Sequence, residues 1–118
     1  MLTKIIAQLK TGNIKNVVAF GVATMPATPY VVVKPAMDPL GRGRLIQIFA
    51  HFAPGSNLFL EDYIVDELPT LLKDFQASTR HGNTQQVQDL YEYEEIVTEN
   101  DDKSISMKRT FLVPGKVF

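Results

Sequence analysis

Six apolar residues, Ile64, Val65, Leu68, Leu71, Leu72 and Phe75, recur at helical spacing, and Pro69 stands in their midst. This repeat is the strongest helical signal in the chain and predicts an amphipathic helix with one dry face. Within a helix, proline removes a backbone donor and its ring presses on the preceding turn, at a cost of about 3 kcal/mol. The helix is therefore expected to kink or break near Glu67 and Leu68. Glu61 and Asp62, placed after the turn Ala53-Pro54-Gly55-Ser56-Asn57, suit the positive end of its dipole. Such a stripe has to be buried, so the rest of the chain must supply a second layer.

That layer reads as a sheet. Leu2, Ile5, Ile6 and Leu9 first mark a short helix that Thr11-Gly12-Asn13 stops. Strands are then expected over Val17–Ala23, Tyr30–Lys34, Leu45–Phe52, Val87–Val97 and Ser104–Val113. In the third of these, Ile46, Ile48, Ala50 and Phe52 share one face, and Leu45, Gln47, Phe49 and His51 share the other, so one face is dry and one mixed. Ile105, Met107, Phe111 and Val113 lie on one face of the last strand, with Arg109 among them. The doubled Glu94-Glu95 predicts a β-bulge. Pro35–Gly43 reads as an exposed loop, and Gln76–Gln86 as a polar surface connection. Phe49, Phe52, Phe59, Tyr63 and Phe75 are expected to form the core between sheet and second helix. The whole is an α+β fold: a mostly antiparallel β-sheet of about five strands with two helices packed on one face, in a single domain over residues 1–118.

Composition narrows the chemistry. The chain has no cysteine, which excludes disulfides, thiolate metal sites and cysteine nucleophiles. Its two histidines are too few for a histidine-rich metal cluster. No apolar run reaches the roughly 18 residues of a membrane span, and the N-terminus leads into an amphipathic pattern, so a cytosolic protein is expected. The net charge of −1 hides a split. Residues 1–44 hold six cations against Asp38 alone, and residues 45–118 hold six cations against twelve anions. Opposite-signed surfaces that meet across a head-to-tail contact are one outcome, and solvated charge is the other.

Candidate reactive sets are sparse. His51, Ser56 and Asp62 can be drawn as a triad, but no nucleophile-elbow pattern surrounds Ser56. Glu92, Glu94 and Glu95 lack the spacing of a calcium loop and read as a solvated strand edge. Gly41-Arg42-Gly43-Arg44 has the backbone and guanidinium donors that grip phosphate, yet two arginines do not make a nucleic-acid surface. No catalytic residue, metal ligand or cofactor site is expected. The strand tyrosines Tyr30, Tyr91 and Tyr93 are first expected to line the core, and a half-exposed face or a subunit contact is the alternative.

Three stretches, Thr28-Pro29-Tyr30-Val31-Val32-Val33, Phe59 to Leu68 and Ser106 to Pro114, together resemble the small tail-terminator and tail-completion proteins of long-tailed, non-contractile bacteriophages. The resemblance implies a subunit that forms a ring, commonly a hexamer, on the end of the tail tube. There it stops growth and offers a surface to the head connector. It implies as partners other copies of the chain, the tail tube protein and the connector, with assembly in the host cytoplasm and residence in the virion tail. It carries over no catalytic residues and so implies no enzyme activity, while the absence of a long apolar run argues against a membrane and the net charge of −1 against general nucleic-acid affinity. The Pro35–Gly43 loop would correspond to a loop such subunits order on assembly. Lys34, Arg42 and Arg44 are then expected to meet Glu92, Glu94 and Glu95 of a neighbour, with Tyr91 and Tyr93 in the same interface. A head–tail neck protein, and a small nucleic-acid or ligand-binding module, remain the alternatives.

Overall fold

The computed structural model describes residues 2–22, 24, 26–73, 75–78, 84–96 and 105–114, the side chains of 57, 77–78, 84–85 and 93–96 aside. Helix α1 (Leu2–Leu9) buries Ile5 and Leu9 completely and packs Leu2 and Ile6 against the same core. It ends as the Thr11-Gly12-Asn13 signal requires. The Thr11 and Gly12 amides donate to the carbonyls of Gln8 and Leu9, and the Thr11 hydroxyl adds a 2.6 Å bond to Gln8 O. A Cβ on Gly12 would lie 2.7 Å from the Leu71 side chain, so glycine lets this turn approach the second helix.

Five strands form one sheet in the order β1-β2-β3-β7-β6: β1 (Val17–Ala19), β2 (Tyr30–Met37), β3 (Gly43–Phe52), β6 (Gln88–Ile96) and β7 (Ile105–Pro114). β1 runs parallel to β2, and the other pairings are antiparallel. The sheet is therefore mostly antiparallel and the fold is α+β. β3 alternates as its sequence demands, with Ile46, Ile48, Ala50 and Phe52 buried and Leu45, Gln47, Phe49 and His51 half-buried on the other face. The core lies on the first face, where Val31, Val33, Phe111 and Val113 join those residues under the helices. Each fully buried aliphatic or aromatic side chain contributes about 1.5–3 kcal/mol relative to exposure.

Several expectations are corrected. β2 does not stop at Lys34 but continues through Pro35 to Met37. The amide of Phe20 donates to Val33 O and that of Val31 to Asn16 O, so odd-numbered residues of β2 turn their backbone groups toward β1. Pro35 shares that parity but lies past the end of β1, where no donor is needed. The strand expected over Val17–Ala23 closes at Ala19, and Ala23 lies outside the described residues. Gln76–Gln86 is not merely a connection, because β4 (Gln76–Ser78) and β5 (Thr84–Gln86) pair as a separate two-stranded ladder. The irregularity in β6 falls between Asp89 and Glu92, not at Glu94-Glu95, which pair in register with Lys108 and Met107.

The second helical stretch begins one turn earlier than the acidic residues suggest. It comprises α2 (Asn57–Asp62), a π-helical segment at Tyr63–Glu67 and α3 (Leu68–Leu72). This phase turns Leu60, Tyr63, Ile64, Leu68 and Leu72 inward. It turns Phe59 outward to 71% exposure, so Phe59 is not a core residue. Phe49 also leaves the core, since it lies on the half-buried face, whereas Phe52, Tyr63 and Phe75 pack on the core side.

Candidate functional site

Pro69 organises the best-defined polar site. In the π segment the Leu68 amide donates to Tyr63 O instead of Ile64 O. The next donor, which would reach Ile64 O in a π register or Val65 O in an α register, belongs to Pro69 and does not exist. Arg109 supplies it. From the core face of β7, its Nη1 donates to Ile64 O at 2.9 Å and, at greater length, to Val65 O at 3.4 Å. The other side of the guanidinium grips Asp89 on β6, with Nε donating to Oδ1 at 3.2 Å and Nη2 to Oδ2. Arg109 is 3% exposed, so this ion pair and the two carbonyl bonds together compensate its burial.

Asp89 also begins the bulge. Its Oδ1 accepts the Tyr91 amide at 2.8 Å, and Tyr91 adopts φ +56°, a left-handed conformation that is costly for a bulky residue. The Tyr91 ring is thrown outward to 78% exposure while remaining 5.8 Å from the Arg109 guanidinium carbon. Between this ring and α3 opens a cleft of about 710 Å³, with Val65, Pro69, Leu72, Val87 and Phe111 as its apolar wall and Lys73, Gln86 and Gln88 at its polar margin.

The Pro35–Gly43 segment, expected as an exposed loop, is a tight hairpin whose ends belong to β2 and β3. The buried Asp38 carboxylate accepts the amides of Leu40 (3.2 Å) and Arg42 (2.9 Å), and pairs with Arg42 Nε at 2.8 Å and Nη2 at 3.2 Å. The bond from the Arg42 guanidinium, aided by the two amides, holds the Asp38 carboxyl down at about 2. Asp38 in turn pushes the Arg42 guanidinium upward, with the more distant Glu92 adding to it. The Arg42 donors that could have gripped a phosphate in Gly41-Arg42-Gly43-Arg44 thus already hold a carboxylate of the same loop. Outside this lock, Met37 and Leu40 are 71% and 73% exposed.

The remaining predicted residues fall as follows. Lys34 places its ammonium 4.8 Å from the centre of the Phe20 ring. Arg44 is exposed at the start of β3. Glu92 lies in the cross-strand row Lys34–Gln47–Thr110–Glu92, three strand spacings, or about 14 Å, from Lys34. Lys34 and Glu92 are therefore not brought together within the chain. Tyr93, Glu94 and Glu95 belong to β6, but their side chains lie outside the described residues. Tyr30 stacks on His51 with ring centres 4.6 Å apart. His51 pairs through Nδ1 with Ser106 Oγ at 2.6 Å, not with Ser56. Ser106 is fully buried, so its hydroxyl cannot meet a substrate, and burial pushes the His51 pKa down. No cluster of three or more metal-ligating side chains occurs among the described residues, and no helix among them is long and apolar enough to cross a membrane.

Asp89, Asp38 and the role of Arg109 escaped the sequence reading. For Arg109 a signal was present, since a cation in phase with four apolar residues is buried and needs a partner. No protein-family model and no curated protein sequence matches this chain.

Proposed function

We propose that the chain is a structural subunit of a bacteriophage tail that closes into a ring at the end of the tail tube, stops its growth and prepares it for joining to the head. The observation that carries this reading is the distribution of unused apolar surface. Among the described residues helices cover one sheet face only, and Phe20, Met37, Leu40 and Tyr91, with Phe59 on α2, stand exposed instead of enclosing a reactive group. Exposed apolar groups that gather into a patch mark contact surfaces, and in this reading these residues make such contacts between copies. The resemblance of the Tyr30, Phe59–Leu68 and Ser106–Pro114 stretches to tail-terminator proteins supplies the kind of assembly.

The mechanism is geometric and needs no catalytic residue. Copies add through two different surfaces, the rotation between them closes at a fixed number, and the closed ring no longer presents the template that tube subunits extend. Deleting the gene from its source genome and imaging the induced lysate by electron microscopy tests this reading. Overlong or unjoined tails are expected. Normal infectious particles, or a source that makes no particles, would refute it. A second reading, a small-ligand module, draws on the 710 Å³ cleft, whose volume lies within the roughly 300–1,000 Å³ range of ligand sites.

A further inference from the structure

We infer that the Asp38–Pro39 peptide bond, in the β2–β3 hairpin, is a latent self-cleavage site that the lock of Arg42 on the Asp38 carboxylate keeps shut and that opening of the hairpin in mild acid releases. The chemistry lies within one chain and does not depend on ring assembly. Asp38-Pro39 is the only Asp-Pro pair in the sequence. An aspartate carboxylate can attack the carbonyl carbon of its own residue, because the ring that closes is small and unstrained. A carboxylate oxygen bonds to that carbon, the bond from the carbon to the Pro39 nitrogen breaks, and the nitrogen leaves as an amine after taking a proton from the acid. Water then opens the cyclic anhydride, so one water is consumed and the products are residues 1–38, with two carboxyls on Asp38, and residues 39–118. Proline favours this course twice. Its tertiary nitrogen is more basic than an ordinary amide nitrogen and leaves more readily, and it has no N–H with which to form the competing succinimide.

The hairpin holds both reacting groups. The Asp38 carbonyl oxygen accepts the Gly41 amide at 3.0 Å, which fixes the bond to be cut in the turn. Pro39 and Leu40 are exposed, so the bond itself is not sheltered from water. What is restrained is the attacking group. Oδ1 accepts the Leu40 amide and Arg42 Nη2, Oδ2 accepts the Arg42 amide and Nε, and the Asp38 side chain is 1% exposed. A carboxylate oxygen whose lone pairs are taken by two donors has none left for a carbonyl carbon, so these bonds must break before attack. Among the described residues Arg42 is the charged group in contact with the carboxylate, and Glu92 of β6 lies behind it and reinforces its charge. Because Arg42 and the two amides hold Asp38 ionised down to about 2, the lock persists in acid that protonates a free aspartate. The folded chain is therefore cut at the rate of the unfolded chain multiplied by the fraction of time the hairpin is open. A cut leaves the β2–β3 ladder from Tyr30–His51 to Met37–Arg44 in place, so the folded product is a nicked chain with a freed tip.

The test incubates the chain at about pH 3, between the folded and unfolded values of Asp38, once without denaturant and once in urea, and follows the two fragments by intact mass. The cut in urea is expected at least ~tenfold faster than in the folded chain. Arg42→Ala deletes two charge-assisted bonds and should speed the cut without denaturant by about tenfold or more while leaving the rate in urea unchanged. Arg42→Lys keeps the charge but not the fork, and should fall between Arg42→Ala and wild type. Pro39→Ala restores an N–H and should suppress the cut in urea.

The wild-type comparison needs no variant, so it decides the matter even where Arg42→Ala fails to fold. Equal rates with and without urea, whether because the lock does not protect or because acid alone unfolds the chain, would overturn the shielding. A faster cut in the folded chain would overturn it as well, and would show that the Gly41 amide on the carbonyl outweighs the lock. Wild-type rates in both Arg42 variants would remove the guanidinium from the account, and a bond that stays intact in urea would overturn the site itself.

Discussion

Arg109→Met keeps the length and much of the apolar stem of the side chain while removing every donor. The substitution leaves the Asp89 carboxylate, only 17% exposed, without its partner and returns Ile64 O and Val65 O to the state that Pro69 creates. Breaking a buried ion pair from one side costs about 3–5 kcal/mol, and an unsatisfied buried carbonyl costs about 1–3. Because these contributions overlap, a loss of about 3–5 kcal/mol is expected. With a slope near 2 kcal/mol/M, the urea midpoint should fall by about 1.5–2.5 M. Two double variants test the attribution. Asp89→Asn should cost at least about 1 kcal/mol less in the Arg109→Met background than alone, because the pair is already broken. Pro69→Ala restores an amide donor and should soften the Arg109→Met loss. A loss below about 1 kcal/mol for Arg109→Met, or strict additivity in both cycles, would refute the proposed role of Arg109 in satisfying the π segment.

Tyr63 is buried with a hydroxyl that finds no partner among the described residues, and desolvation, with the Glu67 charge behind it, pushes its phenol above the usual range. Tyr63→Phe should therefore raise stability by about 1 kcal/mol in chemical denaturation, and a comparable loss would show that the hydroxyl is satisfied. Folded His51, depressed below 6.5, binds a proton less readily than the unfolded chain does, so its contribution is present above about 6.5 and is lost as pH falls from there through the lower folded value. His51→Gln should flatten the pH dependence of the denaturation midpoint in that region; an unchanged slope would count against it. Asp38 falls from 3.8 in the unfolded chain to about 2 when folded, so its contribution is complete above about 4 and disappears toward pH 2. Asp38→Asn should remove that acid limb and raise proteolysis at the hairpin; unchanged protection would argue against the lock.

The element order and the two faces of β3 were legible because alternation and helical spacing report burial directly. The core role of Arg109 was half legible: its phase on β7 announced burial and Pro69 announced a missing donor, but nothing local says that a residue 40 positions later supplies it. Asp89 was hidden by the bulge. Doubled glutamates are an obvious place to suspect a phase change, whereas the irregularity depends on the Asp89 side chain accepting the Tyr91 amide. Phe59 was misplaced because it was assigned to the core by its aromatic character, whereas the helix already runs from Asn57 and its phase turns Leu60 inward and Phe59 out. The segment Pro35–Gly43 read as an exposed loop from its glycines and prolines. Its rigidity comes from one carboxylate with four bonds, which composition does not reveal.

The most direct test of the tail-ring reading adds the purified chain to tail tubes taken from a lysate that lacks the gene, and images them by electron microscopy. The account predicts a closed ring of density at one end of each tube and no further elongation when tube protein is supplied. Bare tubes that continue to grow, or protein scattered along their length, would contradict it.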